Sequence, residues 1–142
     1  MYTKPFFRKY TSDDELMIAN ILKPHPNIVD IYFIGDDYLD MELVGDSPLR
    51  INDRVIEDMS RAKDHLQSLG IFYLDWKLDN IGSVDSGYKL YDFDCSGVSI
   101  TYKDLWEIEP ILSWRYCHAL SNGKVAPKDA DDWNFSNFIM DA

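Results

Sequence analysis

The stretch Leu69-Gly-Ile-Phe-Tyr-Leu-Asp-Trp-Lys-Leu-Asp-Asn-Ile-Gly82 constrains this chain more than any other segment. It places Asp75, Lys77 and Asn80 within six residues, behind an apolar lead-in. Twelve residues beyond Asn80 comes Asp92, in Lys89-Leu-Tyr-Asp-Phe-Asp94, behind a short strand pattern. One acid can accept or orient a proton from a hydroxyl. A second acid and an amide oxygen can hold a hard divalent cation, which prefers oxygen ligands. A lysine between them can neutralise a phosphate. That set of groups suits phosphoryl transfer, where catalysis is mostly positioning and charge stabilisation.

At these residues the chain resembles the protein kinase family. The family's catalytic loop reads H-R-D-L-x-x-x-N and is followed by a D-F-G motif. Tyr73-Leu74-Asp75-Trp76-Lys77-Leu78-Asp79-Asn80 stands for the first, and Asp92-Phe93-Asp94 for the second. The resemblance implies that Asp75, Lys77 and Asn80 are catalytic, that Asn80 and Asp92 hold Mg²⁺, and that ATP is the phosphoryl donor.

The same comparison extends toward the N-terminus. Pro5-Phe-Phe-Arg-Lys-Tyr10 reads as a short strand. Thr11 or Ser12 can cap a helix with Asp13, Asp14 and Glu15 in its first turn, and Lys23-Pro24 ends it. The family pairs a strand lysine with a helix glutamate, and Lys9 and Glu15 take those places. The alternative is a surface lysine and an acid that favours the helix dipole. His25-Pro-Asn-Ile-Val29 resembles the lead into the family's fourth strand, with His25 a turn residue. Tyr38 to Val44 then resembles a fifth strand running into a hinge. Met41 takes the gatekeeper position, and Glu42, Leu43 and Val44 offer backbone groups to an adenine edge. A plain hairpin is the alternative.

Asn52 or Asp53 can cap a helix to about Leu69, where Ile56, Met59, Ala62, Leu66 and Leu69 give one apolar stripe. Gly70 is its C-cap. Ser83 to Gly87 reads as a turn and Tyr88 to Tyr91 as a strand. Asp104-Leu105-Trp106 faintly resembles the start of the family's large central helix. Pro110 can open a helix at its first position, with Ile111, Leu112, Arg115, Cys117 and His118 on it and Asn122-Gly123 at its end. The tail, with Trp133, Phe135, Phe138, Ile139 and Met140 beside Asp131 and Asp132, reads as a last helix packed on the core, with an exposed aromatic docking segment as the alternative.

The 142 residues suffice for one domain with a real core. The expected fold is α+β: a reduced kinase-like domain over 1–142, with a partial N-lobe (1–44) of small antiparallel sheet and one helix over a mostly helical C-lobe (45–142). A complete domain of the family is much longer. Only eight residues precede Lys9, so the Gly-rich loop has no counterpart here. No A-P-E motif follows Asp92, and about nine residues separate Asp94 from Asp104, which excludes a normal activation segment. Leu74 replaces the loop arginine, and Asp94 replaces the motif's glycine and adds a third carboxylate.

Two functional readings follow. The first is a minimal kinase-like enzyme, transferring phosphoryl from ATP with Mg²⁺ to Ser/Thr or to a small hydroxyl compound. The second is a catalytically weak or dead mimic (a pseudokinase) that binds a true kinase or its substrate through an open N-terminal sheet edge, or pairs there with a second copy. The net charge of −11 argues against nucleic acid or an anionic membrane as partner. Two cysteines, Cys95 and Cys117, make no disulfide framework or metal motif. With no signal peptide or membrane-length apolar run expected, the cytoplasm or nucleus is the expected location.

Overall fold

Phe6–Tyr10 form β1 and Tyr38–Glu42 form β3, paired antiparallel from Phe6↔Glu42 to Tyr10↔Tyr38. The computed structural model describes residues 2–101 and 104–140. Among them it is a mixed α+β arrangement of small antiparallel sheets and four helices. β2 (Ile31–Ile34) lies on the other side of β3, giving the order β1-β3-β2. A bulge between Ile31 and Phe33 shifts its register. The lead-in 25–30 is not part of that strand; Ile28 instead makes a single bridge to Leu90.

Between β1 and β2 runs α1 (Asp13–Ile21). Ser12 Oγ accepts from Glu15 N at 3.3 Å, and three acids fill the positive first turn. α2 (Asp53–Ser68) is capped by Asn52, whose Oδ1 accepts from Val55 N at 2.9 Å. Its fully buried stripe is Val55, Met59, Ala62 and Leu66. The expected member Ile56 is only half-buried at the border, because Asp58 is turned inward and takes Arg54, Arg61 and the Tyr88 amide. Gly70 follows α2 at φ 79°, in the left-handed region that favours glycine at a helix end.

β4 (Ile71–Phe72) pairs with β7 (Gly97–Val98), and β5 (Ile81–Val84) pairs with β6 (Gly87–Leu90). The expected turn at 83–87 is therefore a tight hairpin whose strands reach further back than 88. Gly82 on β5 faces the segment that leaves β3: a Cβ there would lie 2.1 Å from Val44 Cγ2.

Beyond residue 100 the structure departs from expectation. Asp104 to Trp106 is not helical. Trp106 instead packs edge-on against Phe72 and Tyr116. Pro110 opens no helix. It packs at Gly97, while Ile108 is held by the Val98 amide at 2.9 Å. With the chain committed to that pairing, α3 (Trp114–Ser121) starts only where Ser113 can cap it, its Oγ accepting from Tyr116 N. Ile111 and Leu112 lie before it and are exposed; Arg115, Cys117 and His118 are on it. α4 (Pro127–Met140) buries Phe135 and Phe138 against Trp76.

One apolar cluster joins Ile18 of α1 and Ile28 to the α2 stripe, Tyr73, Trp76, Leu90, Phe93 and the α4 phenylalanines. A second, under the three-stranded sheet, gathers Leu16, Ala19, Val29, Leu39 and Met41. The first part of the segment 73–80 therefore runs through the interior, with Tyr73, Leu74 and Trp76 at most 1 % exposed, and it comes to the surface at Asp79.

Candidate functional site

The loop after β4 is held from three sides. Leu74 sits at φ 64°, a costly conformation for a residue with a Cβ. Its amide donates to Asp131 Oδ1 at 3.0 Å, and Trp76 Nε1 donates to the same oxygen at 2.8 Å. Gln67 Nε2 donates to the other oxygen at 2.9 Å. Asp131 is fully buried on α4, and burial pushes its carboxyl above the ordinary value against those three donors. From two further directions, Tyr73 Oη donates to Tyr91 O at 2.6 Å and the Tyr73 carbonyl accepts from Ser96 Oγ at 3.1 Å.

So anchored, the loop presents Asp75. Asn80 Nδ2 donates to Asp75 Oδ2 at 2.8 Å and to its carbonyl at 3.1 Å. Lys77 Nζ stands 3.9 Å from Asp75 Oδ2 and Arg115 Nη1 3.8 Å from Oδ1. Asn80 O accepts from Tyr91 N at 3.0 Å, which ties the loop to the residue before Asp92.

Lys9 forms the second centre. Its Nζ lies 2.9 Å from Glu15 Oε1, 3.1 Å from Asp92 Oδ1 and 2.9 Å from Asp94 Oδ2. Thr11 Oγ1 lies 2.6 Å from Glu15 Oε1 and 2.8 Å from Asp94 Oδ1, with its one proton to give to either. Phe93 N donates to Glu15 Oε2 at 2.7 Å, and the Phe93 ring packs edge-on to Tyr73. Asp92, like Leu74, has a positive φ, 65°. Burial opposes charge on Lys9, but its bonds to Glu15 and Asp94 and the Asp92 charge outweigh it and raise its pKa. Burial also pushes Glu15 up, against Thr11 and Lys9. Burial works the same way on Asp94, yet its hydrogen bonds with Glu15, Lys9 and Thr11 win and its pKa is lowered.

One carboxylate oxygen each from Glu15, Asp92 and Asp94 lies within 4.8 Å of the others, a geometry able to hold a metal ion. The structure thus groups Asp92 with Glu15 and Asp94, while the Asn80 amide nitrogen is turned to Asp75. The two centres are nonetheless neighbours. The Cys95 thiol is pushed up to about 11 by burial and by the charges of Asp75, Asp92 and Asp94.

A cleft of about 380 Å³ opens between the sheet and the second centre. Lys9, Met41, Glu42, Leu43, Val44 and Asp92 all line it. Met41 is buried at its back and Leu43 exposed at its mouth. Leu43 and Val44 lie past the last ladder pair, Phe6↔Glu42, so the sheet does not claim their peptide groups. The Glu42 side chain is occupied by Lys89 at 2.7 Å and the Asp30 amide at 3.0 Å.

Sequence reasoning missed four contributors. Phe7 and Tyr91 also line the cleft; two-residue alternation puts Phe7 on the face of Lys9. Asp131 had a readable signal, since it precedes Phe135 and Phe138 at four and seven residues on one helical face. Arg115 had none, because only the tertiary approach of α3 brings it to Asp75.

No protein-family model matches the chain, and no curated protein matches it in sequence. No described helix is long and apolar enough to cross a membrane.

Proposed function

We propose that this chain is a minimal kinase-like phosphotransferase that moves the terminal phosphoryl group of ATP to a hydroxyl acceptor. The observation that carries the reading is the single cleft lined by Lys9, Met41 to Val44 and Asp92, beside a loop that orients Asp75 through Asn80. An adenine would sit against Phe7, Met41 and Tyr91, with its edge at the Leu43 and Val44 peptides. Lys9, fixed by Glu15, would meet the phosphates. Asp75 would orient the acceptor hydroxyl and take its proton, and Lys77 would neutralise the transferring group. The oxygen donors of Asp92 and Asp94 fit Mg²⁺, which favours one or two carboxylates plus substrate phosphates; when bound it would screen phosphate charge. ATP-dependent chemistry of this kind belongs in the cytoplasm or nucleus.

The test is transfer from γ-labelled ATP to protein and small hydroxyl acceptors. Asp75→Ala is expected to lose about 10²–10⁴-fold of the rate. Equal transfer by both proteins contradicts the assignment.

A specific observation favours the second reading, a mimic that acts by binding a kinase, a kinase substrate or a second copy. β1 is an edge strand with Phe6, Phe7 and Tyr10 exposed. Light scattering of the chain, with and without Phe7→Pro, separates the two: edge pairing predicts association that the proline abolishes.

A further inference from the structure

A second cavity, of about 510 Å³, is lined by Trp76, Lys77, Leu78 and Asp79, the residues that directly follow Asp75. Its floor and walls are aromatic: Trp76, Trp114 and Trp133, with the His118 ring 5.3 Å from Trp114 and 4.9 Å from Trp133. Its charged lining is Arg50, Lys77 and Arg115 against Asp79 alone. The chain carries 25 acids and 14 Lys and Arg, so a surplus of cations at one cavity is against its overall balance. Elsewhere Arg8, Lys9, Arg54, Lys63 and Lys89 lie within about 3 Å of a carboxylate. Among the described residues, the side chains of Arg50, Lys77 and Arg115 make no hydrogen bond; the nearest acid to Lys77 and to Arg115 is Asp75, at 3.9 and 3.8 Å. Arg115 is also placed over the Trp114 ring, 5.5 Å from its centroid. The volume is that of a small-molecule site, apolar walls with a few convergent polar groups.

We infer that this cavity is the acceptor site and that it takes a small organic anion: a carboxylate or phosphate attached to a hydroxyl-bearing, partly aromatic or apolar body. This rests on the phosphotransfer reading. The anion sits on the unspent guanidinium donors of Arg115 and Arg50, which match carboxylate and phosphate geometry. Its apolar body lies against Trp114 and Trp133. Because Arg115 and Lys77 both flank Asp75, an anion held there carries its hydroxyl to the Asp75 carboxylate. In the transfer, the hydroxyl proton passes to Asp75 and the acceptor oxygen forms a bond to the γ-phosphorus of ATP. The bond from that phosphorus to the β–γ bridging oxygen breaks, and ADP leaves.

The test is a titration of the whole chain, without ATP, with three compounds of matched shape: phenyllactate (anion), phenylpropanediol (neutral) and phenylalaninol (cation). Tryptophan fluorescence reports binding, since three tryptophans line the cavity. Phenyllactate is expected to bind about tenfold or more tighter than phenylalaninol, with the preference shrinking in high salt. Arg115→Gln is expected to remove most of that preference and Arg115→Lys to keep part of it, which separates a lost charge from a misfolded variant. Equal or tighter binding of the cation, or an Arg115→Gln protein with the preference intact, overturns the proposal. So does capture of an acidic peptide with no binding of phenyllactate. Because ATP is absent, failure here with intact ATP binding sinks only the acceptor assignment; failed ATP binding with the anion preference retained sinks the phosphotransfer reading and the acceptor role with it, and leaves only an anion-binding cavity.

Discussion

Asp131→Ala should be among the most damaging single changes in the molecule, although residue 131 belongs to neither cavity. The substitution strands two buried donors, the Leu74 amide and Trp76 Nε1. Each unsatisfied buried donor costs about 1–3 kcal/mol. Part is returned, because the carboxylate no longer has to be held in a site whose burial disfavours it. The expected loss is about 3 kcal/mol. Asp131→Asn keeps an acceptor oxygen where both donors converge and removes the buried charge; it gives up only the bond from Gln67, which keeps Asp132 as acceptor, so it should cost about 1 kcal/mol. Urea unfolding followed by tryptophan fluorescence reads both, with an unchanged slope as evidence that the same surface unfolds. An Ala variant within about 1 kcal/mol of the parent, or an Asn variant as weak as Ala, would refute the view that Asp131 pins the loop at its strained Leu74.

Lys9→Met removes the cation shared by Glu15, Asp92 and Asp94. After allowance for the solvent exposure of the two aspartates, it should cost about 2 kcal/mol, and millimolar Mg²⁺ or Ca²⁺ should restore melting temperature in the variant more than in the parent. Gly82→Ala forces a Cβ into Val44, so a loss of about 1–3 kcal/mol in urea unfolding is expected, with weakened binding in the cleft that Val44 lines. Burial, with the neighbouring His65 and Arg61 charges, lowers the His25 pKa. The neutral form is the one the fold favours, so stability is full above the ordinary histidine value of about 6.5 and falls as pH drops through the lowered native value. Unfolding midpoints measured downward from pH 7 should show that slope, and His25→Gln should flatten it.

Much of the N-terminal half could be read directly because its signals are local. Ser12 and Asn52 cap the helices they precede, and the segments 6–10 and 38–42 read as strands and pair as β1 and β3, although burial alternates along neither. The contact of Lys9 with Glu15 also follows from closeness in sequence, across one tight connection. Signals fade where long-range packing decides. Pro110 has a good helix-start residue type, yet the Val98–Ile108 pairing and the packing at Gly97 claim its segment first. Asp104 to Trp106 carries no periodicity of its own and is placed by the docking of Trp106 on Phe72. Ile56 and Val55 are adjacent and both apolar, so the stripe alone could not say which would be buried. The grouping of Asp92 with Glu15 and Asp94, rather than with the Asn80 amide, depends on how α1 approaches the 92–94 turn across some eighty residues of chain.

The central claim is that the cleft binds a nucleotide through Lys9 and the Asp92 carboxylate, and calorimetric titration with ATP and Mg²⁺ tests it most directly. The account predicts saturable binding that needs the divalent cation, and that weakens about tenfold or more in Asp92→Asn. No binding, or binding equal with and without Mg²⁺ and unchanged in Asp92→Asn, would contradict it.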